Sequence, residues 1–222
     1  MNDMKWRRWL LLPLMLALAA GLGYTVLSLP DQAHGLQGAV ADQLEKSGVS
    51  NPVTAVLLNF RGYDTLLEMV VLTLALLGVW SFDALPAART EPAPGPVLET
   101  LTRFLVPVLV LVAAYLLWAG AHAPGGAFQA GAVLGAAGVL WILSYGRLQH
   151  GFARRLLRVA LVAGVAAFLA VAVLTLQTGQ QLLEYPPAQA GSLILLIEAV
   201  ATVSIGVTLA TLFLGTEPTD KE

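Results

Sequence analysis

The sequence predicts an all-α, polytopic membrane protein of about six transmembrane helices. Three observations lead there: an excess of apolar residues, six apolar runs of membrane-spanning length, and a one-sided distribution of Lys and Arg. Of 222 residues, 57% are hydrophobic and 12% are charged, and the mean hydropathy is +0.75. No soluble core of this size hides that much apolar surface, so the excess faces lipid. The formal net charge is −2 and the cations are scattered, which leaves no basic patch or arm for nucleic acid. The absence of Cys excludes thiolate metal sites, Cys-ligated iron–sulfur clusters and thiol nucleophiles carried by this chain. His34, His122 and His150 lie too far apart for metal-ligand spacing, so neither a metal nor a cofactor is expected.

A helix needs about 20 apolar residues to cross a hydrocarbon layer about 30 Å thick. The runs that meet this length are Trp9–Leu29, Thr65–Phe82, Phe104–Ala121, Ala127–Tyr145, Val159–Gln177 and Gly191–Leu214. Leu, Val and Ala occupy every face of them, whereas barrel strands would alternate in polarity over segments of about ten residues. The first run follows Lys5, Arg7 and Arg8, a flank that also suits a secretory signal with Ala17-Leu18-Ala19 as its cleavage site. Its apolar stretch continues to Leu29, longer than a signal needs. Between the second and third runs, residues 84–96 contain Pro86, Pro92, Pro94 and Pro96, which remove amide donors and predict an extended linker. The chain then divides into a two-helix module over 1–82, a Pro/Ala-rich linker over 83–100 and a four-helix module over 101–222. No internal repeat joins the modules.

Cytoplasmic segments beside membrane helices carry the excess of Lys and Arg. With the N-terminus inside, Lys5, Arg7, Arg8, Arg89, Arg103, Arg147, Arg154, Arg155, Arg158 and Lys221 are cytoplasmic, and Lys46 and Arg61 remain outside. Both termini are then cytoplasmic, which an even number of spans requires.

Polar residues within these spans carry the functional signal, because a charge at membrane depth costs about 2.5–3.5 kcal/mol on insertion scales. Glu198 lies inside the last span, with Ala201, Thr202 and Ile205 at helical spacing forming a small, partly polar strip suited to close helix contact. Two readings stand: a protonated structural carboxyl bonded to a neighbouring helix, or a member of an ion or proton path. A second cluster runs from Asn51 to Glu68, where an eight-residue apolar run meets polar residues and a break at Gly62 is expected. Thr65 and Glu68 have the spacing of a capping box, and Asp64 would complement the helix dipole. Arg61, Asp64 and Glu68 are also spaced to share one helix face, as a set able to hold or relay a small cation or proton at an outer mouth. The third feature is the connection Gly120 to Gly131, in which Pro124, Gly125 and Gly126 force a tight structural hairpin.

The hairpin and the Ala/Gly/Leu-rich span after it resemble the Pro-Gly-Gly-Gly-Phe region of the B subunit of Mrp-type sodium/proton antiporters, over about Leu101–Leu214. The family pattern has Gly-His before Asn-x-Pro-Gly-Gly-Gly-Phe. This chain has Ala121 in place of that histidine, His122 one position later and Ala127 for the third glycine, so a proton role does not transfer to His122. The family's last span carries an acidic residue in a place similar to Glu198. Asn51, Val53-Thr54, Arg61-Gly62, Asp64-Thr65 and Glu68 resemble the Asn-x-Val-Thr…Arg-x-x-Asp-Thr-x-x-Glu segment near the C-terminal end of the antiporter's large A subunit. In membrane-bound hydrogenases that segment forms a small protein of its own, so the chain resembles a fusion of the two modules.

The resemblance implies an accessory subunit of a multi-subunit cation/proton antiporter in the bacterial cytoplasmic membrane. Its expected partners are other membrane subunits of an antiporter or complex-I-like assembly, sodium ions, protons and lipid. The corresponding place in a redox-driven pump such as a membrane-bound hydrogenase, and a scaffold with no ion path, are the alternatives. No nucleophile–base pair, phosphate-cradling loop or metal cluster points to an enzyme.

Overall fold

The computed structural model describes residues 3–29, 35–81, 95–145, 151–177 and 181–214. Among these residues every regular element is helical. In chain order they are α1 (Asp3–Leu27), α2 (Gln37–Gln43), a 3-10 turn (Leu44–Ser47), α3 (Pro52–Ala55), a π-helical segment (Val56–Phe60), α4 (Gly62–Trp80), α5 (Pro96–Ala119), α6 (Ala127–Tyr145), α7 (Gly151–Gln177) and α8 (Ala190–Leu214). Among the described residues, five stretches are long and apolar enough to cross a membrane, one in each of α4 to α8. A shorter apolar stretch, Leu11–Leu27, lies in α1. The protein is thus an all-α, multi-pass membrane protein.

Residues Met1–Gly38 and Ala39–Glu222 form two compact units. The first is dominated by α1, whose side chains from Leu11 onward are almost all exposed. In the second, α8 is the central element: α6 and α7 pack along it, α5 packs along α6, and α4 packs against α7 and α8. Ile194, Ile197, Ala201 and Ile205 of α8 join Met69, Phe168, Val171 and Ala172 in one buried cluster. By contrast, α5 exposes Phe104, Leu111, Tyr115 and Trp118, an apolar surface suited to lipid or another membrane helix.

Several boundaries differ from those the sequence predicts. Pro96–Thr100, expected as the end of the linker, is the first part of α5, because Pro at the first helical position has a preset φ and lacks only an amide that would be unpaired there anyway. Residues 83–94 of that linker, together with Phe82, lie outside the described residues, and Gly95 precedes α5. Helix α7 begins at Gly151, eight residues before the apolar run, since Arg and Leu continue a helix beyond the hydrocarbon. Ala127–Tyr145 matches its expected span at both ends.

The contact between α6 and α8 depends on missing side chains. A Cβ on Gly131 would stand 2.7 Å from Ile205 Cβ, and one on Gly135 would stand 3.1 Å from the Gly206 carbonyl oxygen. Close backbone approach of this kind is how membrane helices gain packing where lipid is as apolar as their side chains. Replacing Gly131 by Ala is therefore expected to destabilise the assembled protein by about 1–3 kcal/mol through overpacking. Gly78 has nothing within 4 Å of a built Cβ, so Gly78→Ala should leave stability within about 0.5 kcal/mol of the parent. Thermal unfolding of the detergent-solubilised complex distinguishes the two, and equal midpoints would contradict the packing account.

Candidate functional site

The site is built where two non-helical stretches meet. Asn51 caps α3: its Oδ1 accepts from the Val53 amide at 3.1 Å, and Pro52 follows at the first helical position. The chain then widens into the π-helical segment, closed by the Arg61 amide on the Val56 carbonyl at 2.8 Å. It breaks at Arg61, where φ is −129° and ψ is 34°, and restarts as α4 at Gly62. The expected break is therefore present, one residue earlier.

This broken segment seats on the hairpin that follows α5. Asn51 Nδ2 donates to the carbonyls of Gly120 (3.2 Å) and Ala123 (2.8 Å). Thr54 Oγ1 donates to Gly120 (2.5 Å). The amides of Ser50 and Asn51 both donate to the Ala121 carbonyl at 3.0 Å. These donors satisfy carbonyls of the hairpin that follows α5, which no helical amide reaches. His122 is exposed, its Nδ1 3.0 Å from Ser50 Oγ and its ring edge-on to Trp118. It thus belongs to the same joint.

The hairpin in turn sets the position of Glu198. Gly126 has φ of +104°, a conformation that suits a residue without Cβ. It lies against the carboxylate: a Cβ there would stand 2.7 Å from Glu198 Oε1. The same oxygen accepts from the Ala127 amide at 3.3 Å, at the first residue of α6. Glu198 is 3% exposed, and it faces the positive end of the α6 dipole. Thr202, expected beside the carboxylate, instead donates to the Glu198 carbonyl at 2.7 Å.

The Arg61, Asp64 and Glu68 set is arranged in two parts. Arg61 forms an ion pair with Asp64 at the mouth of α4. Asp64 and Glu68 line one open groove of about 590 Å³ with Leu67, Val71, Leu72 and Phe128. Thr65 is a correction. It sits within the first turn of α4, and its hydroxyl donates to the Leu57 carbonyl at 2.6 Å, so the capping box with Glu68 is not formed. The break upstream had already started the helix and left the Leu57 carbonyl to be satisfied.

Glu68 and Glu198 stand at similar depth from one end of the bundle. Gly62, the start of α4, lies beside Leu183 and Tyr185, and Gly48 lies against Ala190 and Gly191 at the start of α8. At 1.5 Å per residue, Glu68 is about 9 Å along α4 and Glu198 about 12 Å along α8. Phe128, next to the residue that donates to Glu198, also lines the groove. The first turn of α6 therefore connects the acidic groove with the buried carboxylate. Tyr185 closes the same end, its hydroxyl buried without a partner among the described residues. Burial pushes its pKa up to about 12. No group of three or more metal-ligating side chains occurs among the described residues.

Comparison with known proteins finds matches to two stretches of the chain. A family model described as a domain related to the MnhB subunit of Na+/H+ antiporter matches residues 97–215. One described as the E subunit of MBH matches residues 6–97. The chain is 29% identical over 165 residues to the A/B subunit of a probable K+/H+ antiporter of Rhizobium meliloti (strain 1021), covering 60% of this chain and 16% of that protein. It is 32% identical over 72 residues to the A subunit of a Na+/H+ antiporter of Bacillus subtilis (strain 168), covering 30% and 9%. It thus spans a small fraction of both relatives. Among solved structures, a chain of the membrane-bound sulfane sulfur reductase, an archaeal respiratory membrane complex, matches with TM-score 0.67 and 25% identity over 94% of this chain and 97% of that one. A chain of the Mrp complex from Dietzia sp. DQ12-45-1b shares the fold with TM-score 0.69 and 24% identity, over 97% and 27%.

The joint makes a prediction of its own. Asn51→Leu removes the α3 cap and strands the Ala123 carbonyl, a loss of about 2 kcal/mol or more. Thr54→Val leaves Gly120 with its Asn51 donor and should cost about 1 kcal/mol. Limited proteolysis of the hairpin in intact membranes reads the difference: cleavage near Ala123 should accelerate in Asn51→Leu and much less in Thr54→Val.

Proposed function

Because the chain belongs to the family of domains related to the MnhB subunit of the Na+/H+ antiporter, we propose that it is a non-catalytic membrane subunit of a multi-subunit cation/proton antiporter. It lies in the bacterial cytoplasmic membrane with both termini inside, and Glu198 and the Asp64/Glu68 groove contribute to its ion path. The division at the proline-rich linker into an A-like module and a B-like module belongs to the same proposal. The monovalent cation is sodium or potassium, as in the names of the relatives.

The observation that supports this reading best is the placement of Glu198. It is buried against the N-terminus of α6 and accepts from the first amide of that helix. A carboxyl in such a place can serve both as an anion and in its protonated form, which suits it to gaining and losing a proton or a cation. The nearby groove adds the carboxylates of Asp64 and Glu68 at the start of α4, with Arg61 held beside Asp64.

The test separates charge from shape. Glu198→Gln keeps an oxygen able to accept from the Ala127 amide, so the α6 hairpin and the assembly should survive. If the titratable group is used, cation-dependent proton flux in everted vesicles should fall about tenfold or more, a barrier increase of about 1.4 kcal/mol. Glu198→Asp should retain partial flux. Parental flux in Glu198→Gln, normalised to assembled complex, would remove Glu198 from the ion path. Copurification with redox-active subunits in place of antiporter subunits would overturn the exchanger reading itself.

A further inference from the structure

Glu68 presents an unsolved electrostatic problem in the isolated chain. It lies more than one turn inside a helix long and apolar enough to cross a membrane, yet its side chain is exposed. Its surroundings in the groove are Asp64, Leu67, Val71, Leu72 and Phe128. Leu67 and Val71 are 60% and 62% exposed. Asp64 has Arg61 as its partner, but among the described residues no cation pairs with Glu68. A carboxylate left on an apolar surface at membrane depth is costly unless a partner covers it.

From this geometry we propose that the groove along α4 is the docking site for a transmembrane helix of another subunit, which presents a Lys or Arg to Glu68. The apolar positions Leu67 and Val71 flank Glu68 at the spacing that a crossing helix covers, and the exposed charge fixes its height and sign. The open groove has room for the long side chain that such a cation requires. A second copy of this chain fits poorly, because α4 against α4 would set Glu68 against Glu68. Its own Arg103 lies near the start of α5, and Arg155 and Arg158 near the start of α7. Those helices finish at the end where α4 begins, so these cations are at the opposite end from Glu68. The inference rests on the chain being one subunit of a membrane assembly, and it is independent of ion passage through Glu198.

The experiment uses the complete complex in native membranes. A photoreactive benzophenone amino acid is placed at Leu67 or Val71, the membranes are irradiated, and the cross-linked peptides are identified after purification through a tag on this chain. The expected product joins this chain to one transmembrane segment of another subunit, with a Lys or Arg within one turn of the linked residue. Glu68→Lys should then lower recovery of that partner about tenfold, and replacing its cation by Glu in the same complex should restore it. Products with lipid only, with a second copy of this chain, or with a segment lacking a cation would overturn the proposal, as would failure of the reversed pair to restore recovery. Cation-dependent proton flux of the unsubstituted membranes tests the antiporter reading separately, and recovery of the partner does not depend on it.

Discussion

In hydrocarbon, a peptide group that is not hydrogen-bonded within the protein has no water to turn to. Buried backbone at the ends of membrane spans meets the same demand, and it governs the joint between α3 and the hairpin after α5. Helix α5 stops at Ala119 and the chain turns back through Pro124, Gly125 and Gly126, leaving carbonyls without helical donors. On the other side, α4 cannot simply continue α3, because the chain breaks at Arg61. The two interruptions satisfy one another. Ser50, Asn51 and Thr54 supply the donors that Gly120, Ala121 and Ala123 lack.

The position of the buried carboxylate follows from that joint. With the hairpin fixed, Gly126 and Ala127 meet α8 at Glu198, and Gly131 and Gly135 continue the contact against Ile205 and Gly206. A side chain on any of these glycines would separate α6 from α8 and withdraw the α6 amide from the carboxylate. Further along α8, Ser204 donates to the Leu161 carbonyl of α7 at 2.8 Å, and Gly164 leaves room for Met69 of α4. The acidic groove and Glu198 both border the first turn of α6, through Phe128 and the Ala127 amide. The same contacts bring together residues from the MBH-like and MnhB-related parts of the chain.

Much of this architecture was legible in the sequence because lipid imposes long, continuous apolar runs. Ala127–Tyr145 emerged with its ends intact since Pro-Gly-Gly stops the chain before it. Spans with polar, helix-forming flanks were harder: α5 extends back to Pro96 and α7 to Gly151, where hydropathy falls but helix propensity does not. Thr65 illustrates a local pattern overridden by its context, for the hydroxyl that fits a capping box is taken by the Leu57 carbonyl of the π-helical segment. Glu198 stood out as a charge in an apolar run, and Glu68 as the last member of a polar cluster at the start of one. Their relation to each other did not, because it passes through Phe128 and Ala127 on a third helix. Asn51 carried a visible cap signature, but nothing local identifies a partner 72 residues away.

A polar joint that satisfies the backbone lies at the end of the bundle that carries the acidic groove, with Glu198 held by the α6 N-terminus. Hydrogen–deuterium exchange of the intact complex in lipid nanodiscs examines that joint directly. The amides of Ser50, Asn51, Gly126 and Ala127 should be protected as strongly as helix-interior amides, since each has a defined acceptor. Replacing Glu198 by Ala should expose the Ala127 amide while leaving Ser50 and Asn51 protected. Exchange of all four at the rate of a solvent-exposed loop in the parent complex would contradict the joint and, with it, the placement of Glu198.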